Sequence, residues 1–162
     1  MELINQNIVY ELYNSLDELN TEDQNLMRQA IAAVASAYAP YSNFNVGAAV
    51  LLENGIIVKG SNQENAAYPS GLCAERVALF FAGAQYPDVK IKSIAVTAFV
   101  DSNKLAIPVS PCGDCRQVMS EFEHRYQKSI RLIMITDKSK IIVLDSVKLL
   151  LPFMFNSDSL KG

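Results

Sequence analysis

The sequence is poor in the residues that bind transition metals or form disulfides. It contains three cysteines and a single histidine among 162 residues. Three cysteines cannot all pair within one chain, and all three lie in two short motifs, which indicates metal-bound thiolates in a reducing compartment. We therefore expect no structural disulfide and a cytoplasmic location.

Long apolar runs and clusters of basic residues are also absent. No segment approaches the length of a membrane span, and residues 1–20 lack the basic start and apolar stretch of a targeting signal. The net charge is −3 and no stripe of lysine or arginine could neutralise a phosphate backbone. We expect neither a membrane nor a nucleic acid polymer as a partner.

The length of the chain bounds its domain organisation. With 162 residues, 50% of them hydrophobic, the chain can form one domain with a sizeable core but not two ordinary domains. We expect an N-terminal extension at 1–20, one folded domain at 21–156 and a C-terminal tail at 157–162.

The hydrophobic pattern predicts helices that alternate with strands. Apolar residues at helical spacing predict helices at 21–39, 73–84 and 113–126. The second of these helices carries its apolar residues at Val77, Phe80, Phe81 and Ala84. Short β-branched runs predict strands at 46–52, 56–60, 91–99, 130–135 and 141–144, the first two joined by a tight turn with positive φ angles at Asn54-Gly55. This order indicates a three-layer α/β domain.

The three cysteines form the most specific feature of the sequence. Cys73 stands two residues before Glu75, and Cys112 and Cys115 form a Pro-Cys-Gly-Asp-Cys segment. Three thiolates leave a tetrahedral Zn²⁺ with an open fourth position for water, which is typical of a catalytic zinc site. Glu75 is placed to reach that water as a proton carrier. This combination matches the known signature of zinc-dependent nucleobase deaminases.

Two other interpretations explain part of this pattern, namely a structural zinc site and a redox pair. A structural site requires a fourth protein ligand, but the only histidine is His124, which we expect at the surface of the third helix. A redox pair would use Cys112 and Cys115 without needing Cys73 or Glu75. The catalytic interpretation accounts for all four residues.

Three thiolates around Zn²⁺ leave the cluster with a net negative charge, which would weaken the activation of water. Arg76 follows Glu75, and Arg116 follows Cys115. Either guanidinium could donate to a ligand sulfur and offset this charge. We favour Arg76.

Five blocks of the sequence, in their order, resemble cytidine deaminases of the small homotetrameric, three-cysteine type. The resemblance extends from about residue 39 to residue 155 and rests on YSNFNVGAA at 41–49, NQENAAY at 62–68, CAER at 73–76, SPCGDCRQ at 110–117, and LLP at 150–152 leading to Phe155. It implies an α/β/α domain with a five-stranded mixed sheet. It also implies one zinc ion per subunit, held by Cys73, Cys112 and Cys115, and hydrolytic deamination of cytidine and deoxycytidine in pyrimidine salvage, with Glu75 as the proton shuttle.

The resemblance also implies which residues bind the nucleoside. Phe44 would stack on the pyrimidine, and Asn62 and Glu64 would bind the ribose hydroxyls. The Ala74 N–H would meet the base carbonyl, and the Ser110 carbonyl would hold the amino group. An aromatic face suits a flat ring, and an amide with a carboxylate suits a sugar diol. Phe44 could instead be a core residue, and Asn62 and Glu64 could instead cap a turn.

Two further residues of the site are implied to be shared between subunits. Phe155 would close the pocket of a neighbouring subunit, and Tyr68 matches another residue at the shared site. Phe155 could alternatively be an ordinary core residue. Because one small domain leaves a nucleoside pocket open, we expect a homotetramer with shared active sites.

Two alternatives to this function stay open at the level of sequence. One is deamination of another aminopyrimidine nucleoside, such as a nucleoside antibiotic, and the other is a catalytically silent zinc-binding or redox domain. The sequence departs from the compact family in its N-terminal extension and in the segment at 99–108, which is longer than the family needs.

Overall fold

A computed structural model of the protein describes residues 1–100, 109–135 and 140–160. Most of the segment at 99–108, which departs from the compact family in its length, lies outside the described residues. The described helices are α1 (Thr21–Ala33), α2 (Ala74–Gln85) and α3 (Gly113–Tyr126), and the strands are β1 (Glu11–Tyr13), β2 (Phe44–Leu52), β3 (Ile57–Ser61), β4 (Ile91–Val100), β5 (Arg131–Ile135) and β6 (Ile141–Leu144). No described helix combines the length and apolar character that crossing a membrane requires.

The strands form one mixed sheet in the order β1-β6-β5-β4-β2-β3. Strands β4 and β5 are parallel, and the other neighbouring pairs are antiparallel. The predicted three-layer α/β fold with a mixed sheet is confirmed. The predicted number of five strands is wrong, because part of the N-terminal extension adds β1 as a sixth strand at one edge.

Both faces of the sheet are covered, which explains why its central strands carry buried apolar residues on both sides. On one face, Ala48, Val50 and Leu52 of β2 pack with α2 and α3 in the larger core. On the other face, Ala49 and Leu51 pack with Leu26, Met27 and Ala30 of α1. The helix that carries Glu75 and the helix that carries Cys115 therefore lie on the same face.

The turn between β2 and β3 differs in detail from the prediction. Gly55 has a φ of 84°, whereas Asn54 is not among the described residues with positive φ. The Gly55 N–H donates to the Leu52 carbonyl at 2.9 Å, and the Leu52 N–H donates to the Ile56 carbonyl at 2.9 Å. This is a three-residue hairpin loop with one left-handed residue, which needs only the glycine.

The buried face of α2 is opposite to the one that the apolar spacing indicates. Ala74, Ala78, Leu79 and Ala82 are buried, while Phe80 and Phe81 are 46% and 54% exposed. Small residues face the sheet because α2 lies very close to β3. A Cβ atom at Gly60 would lie 2.4 Å from the Ala74 carbonyl oxygen. Large side chains could not enter this contact, so the two phenylalanines remain at the surface.

Strand β1 is fixed to the sheet edge by both main-chain and ionic contacts. Residues 11–13 pair with residues 141–143 of β6. Arg131 binds three carboxylates, of Glu11 at 2.9 Å, Asp23 at 3.0 Å and Asp145 at 2.8 Å. Asp23 is buried, and its backbone N–H is capped by Asn20 at the start of α1. One guanidinium thus connects β1, α1 and β5.

We expect Arg131→Met to destabilise the protein by about 2 kcal/mol, because it leaves the Asp23 charge buried without its cation. This value is below that for a fully buried pair, since the Arg131 side chain is 27% exposed. The midpoint of thermal unfolding should fall by roughly 4 to 8 °C for a chain of this size. Circular dichroism during heating measures this shift.

The control for this experiment is Lys92→Met, which removes the exposed Lys92–Glu22 pair at 2.6 Å. Exposed pairs contribute little to stability, so the control should melt close to the parent protein. Equal midpoints for the Arg131 and Lys92 variants would contradict the role assigned to Arg131.

Candidate active site

The three cysteines meet where two helices begin. Cys73 caps the N-terminus of α2, Cys112 caps the N-terminus of α3, and Cys115 lies in the first turn of α3. Their three sulfur atoms lie within 4.8 Å of one another, and the Sγ atoms of Cys73 and Cys112 are 3.7 Å apart. Two thiolates on a tetrahedral zinc with bonds of about 2.3 Å would lie about 3.8 Å apart. The donor set and its spacing therefore fit zinc.

The surroundings of the cluster favour ionisation of the Cys73 thiol. A hydrogen bond from the Cys115 thiol, helped by Arg76, lowers the pKa of Cys73 to about 5. The same hydrogen bond to Cys73, together with burial, raises the pKa of the Cys115 thiol. The positive ends of the two helix dipoles also stabilise negative charge at this point.

Glu75 lies in the first turn of α2 with its side chain buried against the cluster. The residue is 4% exposed, and burial raises the pKa of its carboxyl group to about 6. A carboxyl group with a pKa near neutrality can both take and release a proton under physiological conditions. Its position beside Cys73 and Cys115 places this proton exchange at the thiol cluster.

The two arginines next to the motifs have different contacts. The Nη2 of Arg76 lies 3.8 Å from the Cys73 sulfur, and its Nη1 lies 4.0 Å from Asp114. Arg116 instead donates to the Pro111 carbonyl at 2.8 Å, to the Ser110 hydroxyl at 2.9 Å and to the Leu150 carbonyl at 3.1 Å. Arg76 is therefore the guanidinium that contacts a thiol, and Arg116 holds the loop before α3.

The thiol cluster opens into a cavity of about 670 Å³. Nine of the residues singled out from the sequence line this cavity: Phe44, Asn62, Glu64, Tyr68, Cys73, Glu75, Arg76, Ser110 and Cys112. Its walls also include the apolar residues Val46, Leu72, Val96 and Val109. The cavity thus combines ionisable groups with apolar walls, as small-molecule sites do.

Three of the sequence-predicted residues do not line the cavity described in this chain. Cys115 and Ala74 are completely buried. Ala74 is the first residue of α2, so its N–H has no partner within the helix. Phe155 lies near the C-terminus, is 57% exposed, and accepts a hydrogen bond from Gln117 at its carbonyl oxygen.

The side chain of Asn62 contacts the backbone around Phe44. Its Nδ2 donates to the Phe44 carbonyl at 2.9 Å, and its Oδ1 accepts from the Val46 N–H at 2.8 Å. Asn62 is buried, and a primary amide has two N–H groups, so one N–H is left for a ligand.

The carboxylate of Glu64 is surrounded by donors from the turn before β2. The Tyr41 and Ser42 N–H groups donate to its Oε2 at 2.9 and 3.3 Å, and the Ser42 hydroxyl donates to its Oε1. These bonds, the hydroxyl first, hold the pKa of Glu64 below its usual value. Sequence reasoning assigned no role to Ser42. Its partner lies 22 positions away, and no local pattern indicates that pairing.

Tyr68 lies beside Tyr41 at the cavity, with a ring-centroid separation of 6.2 Å and an interplanar angle of 64°. Tyr68 is largely exposed. An exposed aromatic pair at the rim of a cavity is suited to contact a ligand or another subunit.

The fold and the thiol cluster define the class of protein: an α/β domain with three cysteines, able to hold a metal ion, at two helix N-termini. The family model of the cytidine and deoxycytidylate deaminase zinc-binding region matches residues 20–129, which is more than half of the chain. The chain therefore belongs to the cytidine and deoxycytidylate deaminase family, a family of enzymes.

Curated relatives and solved structures agree with this assignment. The cytidine deaminase of Halalkalibacterium halodurans is 46% identical over 98 residues, covering 60% of this chain and 70% of that protein. The cytidine deaminase of Mycobacterium tuberculosis is 41% identical over 103 residues, covering 61% and 71%. The crystal structure of cytidine deaminase from Burkholderia pseudomallei superposes with a TM-score of 0.70 at 38% identity, covering 81% of this chain and 97% of that chain.

We expect Cys112→Ala to reduce bound zinc from about one ion per chain to a small fraction of that value, because two thiolates cannot hold the ion as three do. The variant should also unfold at a lower temperature than the parent, since metal binding is coupled to the folding of the ligand loops. Atomic absorption and thermal unfolding measure the two effects.

Glu121→Ala provides the control, because Glu121 is an exposed residue of α3 outside the cluster. It should keep both the metal and the melting temperature of the parent. A Cys112→Ala protein that retains a full zinc ion would contradict the assignment of Cys112.

Proposed function

We propose that this protein catalyses the zinc-dependent hydrolytic deamination of cytidine and deoxycytidine to uridine and deoxyuridine, in pyrimidine salvage in the cytoplasm. The observation that carries this proposal is the position of the buried Glu75 carboxyl group beside three clustered thiols, in a cavity that Phe44 and Glu64 also line. A silent zinc site or a redox pair would not account for Glu75.

Cys73, Cys112 and Cys115 are the proposed ligands of one zinc ion per subunit. When bound, zinc supplies Lewis-acid activation of the water that attacks the pyrimidine. Arg76, 3.8 Å from the Cys73 sulfur, is proposed to offset the excess negative charge of the three thiolates. Arg116 is engaged with three oxygen acceptors and is not close enough to a sulfur to share this role.

Glu75 is the proposed proton carrier. In the first half of the reaction it accepts a proton from the attacking water, and the new C–O bond forms at C4 of the cytosine ring. It delivers this proton to N3, then takes the proton of the new C4 hydroxyl and passes it to the amino group, so that the C4–N bond breaks and ammonia leaves. A carboxyl group whose pKa is about 6 suits both directions of transfer near neutral pH.

Five further residues are proposed to bind and orient the nucleoside. Phe44 is half-buried in the cavity wall and offers its ring to the pyrimidine. The Ala74 N–H and the Ser110 carbonyl would bind the base, and the free N–H of Asn62 and the Glu64 carboxylate would bind the sugar. The bond from Arg116 to the Ser110 hydroxyl fixes the loop that presents the Ser110 carbonyl.

The charges of the cavity favour a nucleoside over a nucleotide. Among the described residues that line it, Arg76 is the only cation, and it already contacts Cys73 and Asp114. Glu64 and Glu75 add negative charge to the walls. Phosphate recognition normally uses arginine or lysine, so these walls suit a neutral sugar better than a phosphorylated one.

The purified zinc-loaded protein should convert cytidine and deoxycytidine to uridine and deoxyuridine. The change in ultraviolet absorbance measures this conversion. Glu75→Gln keeps the size and hydrogen-bonding reach of the side chain but cannot carry the proton. It should lower kcat by about 10² to 10⁴-fold while retaining zinc.

Three outcomes would contradict this proposal. A zinc-loaded protein that leaves cytidine, deoxycytidine and cytosine-based nucleoside antibiotics unchanged is not such a deaminase. Turnover of the antibiotics alone would favour the alternative substrate. Loss of zinc from Glu75→Gln would show that Glu75 serves the metal site and not proton transfer.

The assembly proposed for this enzyme is a homotetramer with shared active sites. Phe80 and Phe81 of α2 are about half exposed, as is Phe155. Exposed aromatic residues on the helix that carries Glu75 are expected to be covered by another subunit. Because Phe155 does not line the cavity described in its own chain, it is proposed to close the cavity of a neighbour.

We expect Phe155→Ala to raise KM for cytidine by at least about tenfold, since an aromatic anchor at an interface typically contributes that much. When the parent protein is diluted, its specific activity should fall together with the mass of the assembly. Light scattering measures that mass. Phe153→Ala is the matched control, because Phe153 is 96% exposed and only two residues away. A fully active monomer, or wild-type KM in Phe155→Ala, would show that one chain completes the pocket.

A further inference from the structure

The turn at residues 40–43 connects two parts of the proposed nucleoside site. Ser42 Oγ accepts a hydrogen bond from the Phe44 N–H at 3.0 Å and donates its own proton to Glu64 Oε1. The hydroxyl therefore sits between the backbone of the proposed base-stacking residue and the carboxylate of the proposed sugar-binding residue. Both of its contacts lead to groups that line the cavity.

The backbone around these residues is held on several sides. The Asn43 N–H donates to the Ala39 carbonyl at 3.0 Å, and Asn43 adopts a left-handed φ of 55°. The Glu64 N–H donates to the Tyr38 carbonyl at 2.8 Å, and the Tyr38 N–H donates to the Asn62 carbonyl at 2.9 Å. With the main chain fixed in this way, the side chain of Glu64 is the part still free to rotate, and Ser42 restrains it.

The number of donors to Glu64 limits what else the carboxylate can bind. A carboxylate has about four acceptor positions on its two oxygens. Two N–H groups and one hydroxyl from Tyr41 and Ser42 already occupy three of them. One position remains for a ligand, so Glu64 can accept one further hydroxyl in a fixed direction. Among the described residues of the cavity wall, the only cation is Arg76, which contacts Cys73 and Asp114.

We propose that Ser42 is a positioning residue for sugar recognition, which aims the Glu64 carboxylate so that it selects substrates carrying a sugar hydroxyl over those that lack it. This inference rests on the proposed function, because it assigns a substrate-selecting role within the same site. Ser42 itself needs no contact with the reacting atoms. Its effect should therefore appear in the ratio between substrates and in KM, with kcat for cytidine changed little.

The test compares cytidine with 2′,3′-dideoxycytidine, which keeps the base and lacks both ring hydroxyls of the sugar. In Ser42→Ala, the ratio of kcat/KM for cytidine to kcat/KM for the dideoxy analogue should fall about tenfold, the typical value of a hydrogen bond to a charged group. Most of the change should be in KM for cytidine. Ser42→Thr retains a hydroxyl and should restore the ratio.

Two controls separate this effect from a loss of folding. Ser129→Ala removes a hydroxyl from an exposed position between α3 and β5 and should leave the ratio unchanged. In a Glu64→Gln background, Ser42→Ala should produce little further change in the ratio, because Ser42 acts through that carboxylate. This second comparison applies even if Ser42→Ala alone lowers stability, since the ratio is measured on the same folded enzyme.

The outcomes distinguish this inference from the proposed function. If the parent protein deaminates neither compound, the proposed function fails. If the parent is active and Ser42→Ala keeps the parent ratio, the positioning role of Ser42 is wrong. Equal losses for the two substrates would also overturn it, because they would mean that the hydroxyl only supports the turn next to Phe44.

Discussion

The site depends on the convergence of two helix N-termini on one face of the sheet. Cys73 and Cys112 cap α2 and α3, so their sulfur atoms come to 3.7 Å only if both helices begin at the same place. The close contact of α2 with β3 at Gly60 fixes the first of these positions. Negative charge accumulates where the thiols meet, and the helix dipoles with Arg76 offset it. The same arrangement that brings the three thiols together thus supplies positive potential that favours the thiolate of Cys73.

The part of the cavity proposed to bind the nucleoside is built differently, from side-chain hydrogen bonds to the first residues of β2. Asn62 holds the Phe44 carbonyl and the Val46 N–H, and Ser42 holds the Phe44 N–H. Both polar groups of the Phe44 backbone are therefore bound by side chains next to the proposed sugar-binding positions. These contacts hold the backbone of Phe44, the first residue of β2, and so fix the direction of its aromatic ring.

Part of this structure could be predicted from the sequence because it depends on local patterns. The three helices, the β2–β3 hairpin and the position of Glu75 in a first helical turn follow from apolar spacing, glycine and the cysteine motifs. The exposed face of α2 could not be predicted, since only the packed structure shows that small residues are needed against Gly60. Strand β1 was missed for a similar reason: a three-residue strand is too short for a periodic signal, and Arg131, which holds it, lies 120 positions from Glu11.

The buried carboxylates show why Glu75 is suited to proton transfer while its counterparts are not. Among the described residues, Asp23, Glu75 and Glu123 are the buried acids. Asp23 is paired with Arg131, and Glu123 accepts the Ile130 and Val147 N–H groups at 2.7 and 3.0 Å as well as the Ser146 hydroxyl. Those partners give Asp23 and Glu123 structural roles, in an ion pair and in holding loops. For Glu75, burial dominates the rise of its pKa to about 6, and the charge of Cys73 raises that pKa further. A carboxyl group in such surroundings exchanges its proton readily, and it does so next to the three thiols that fit a metal ion.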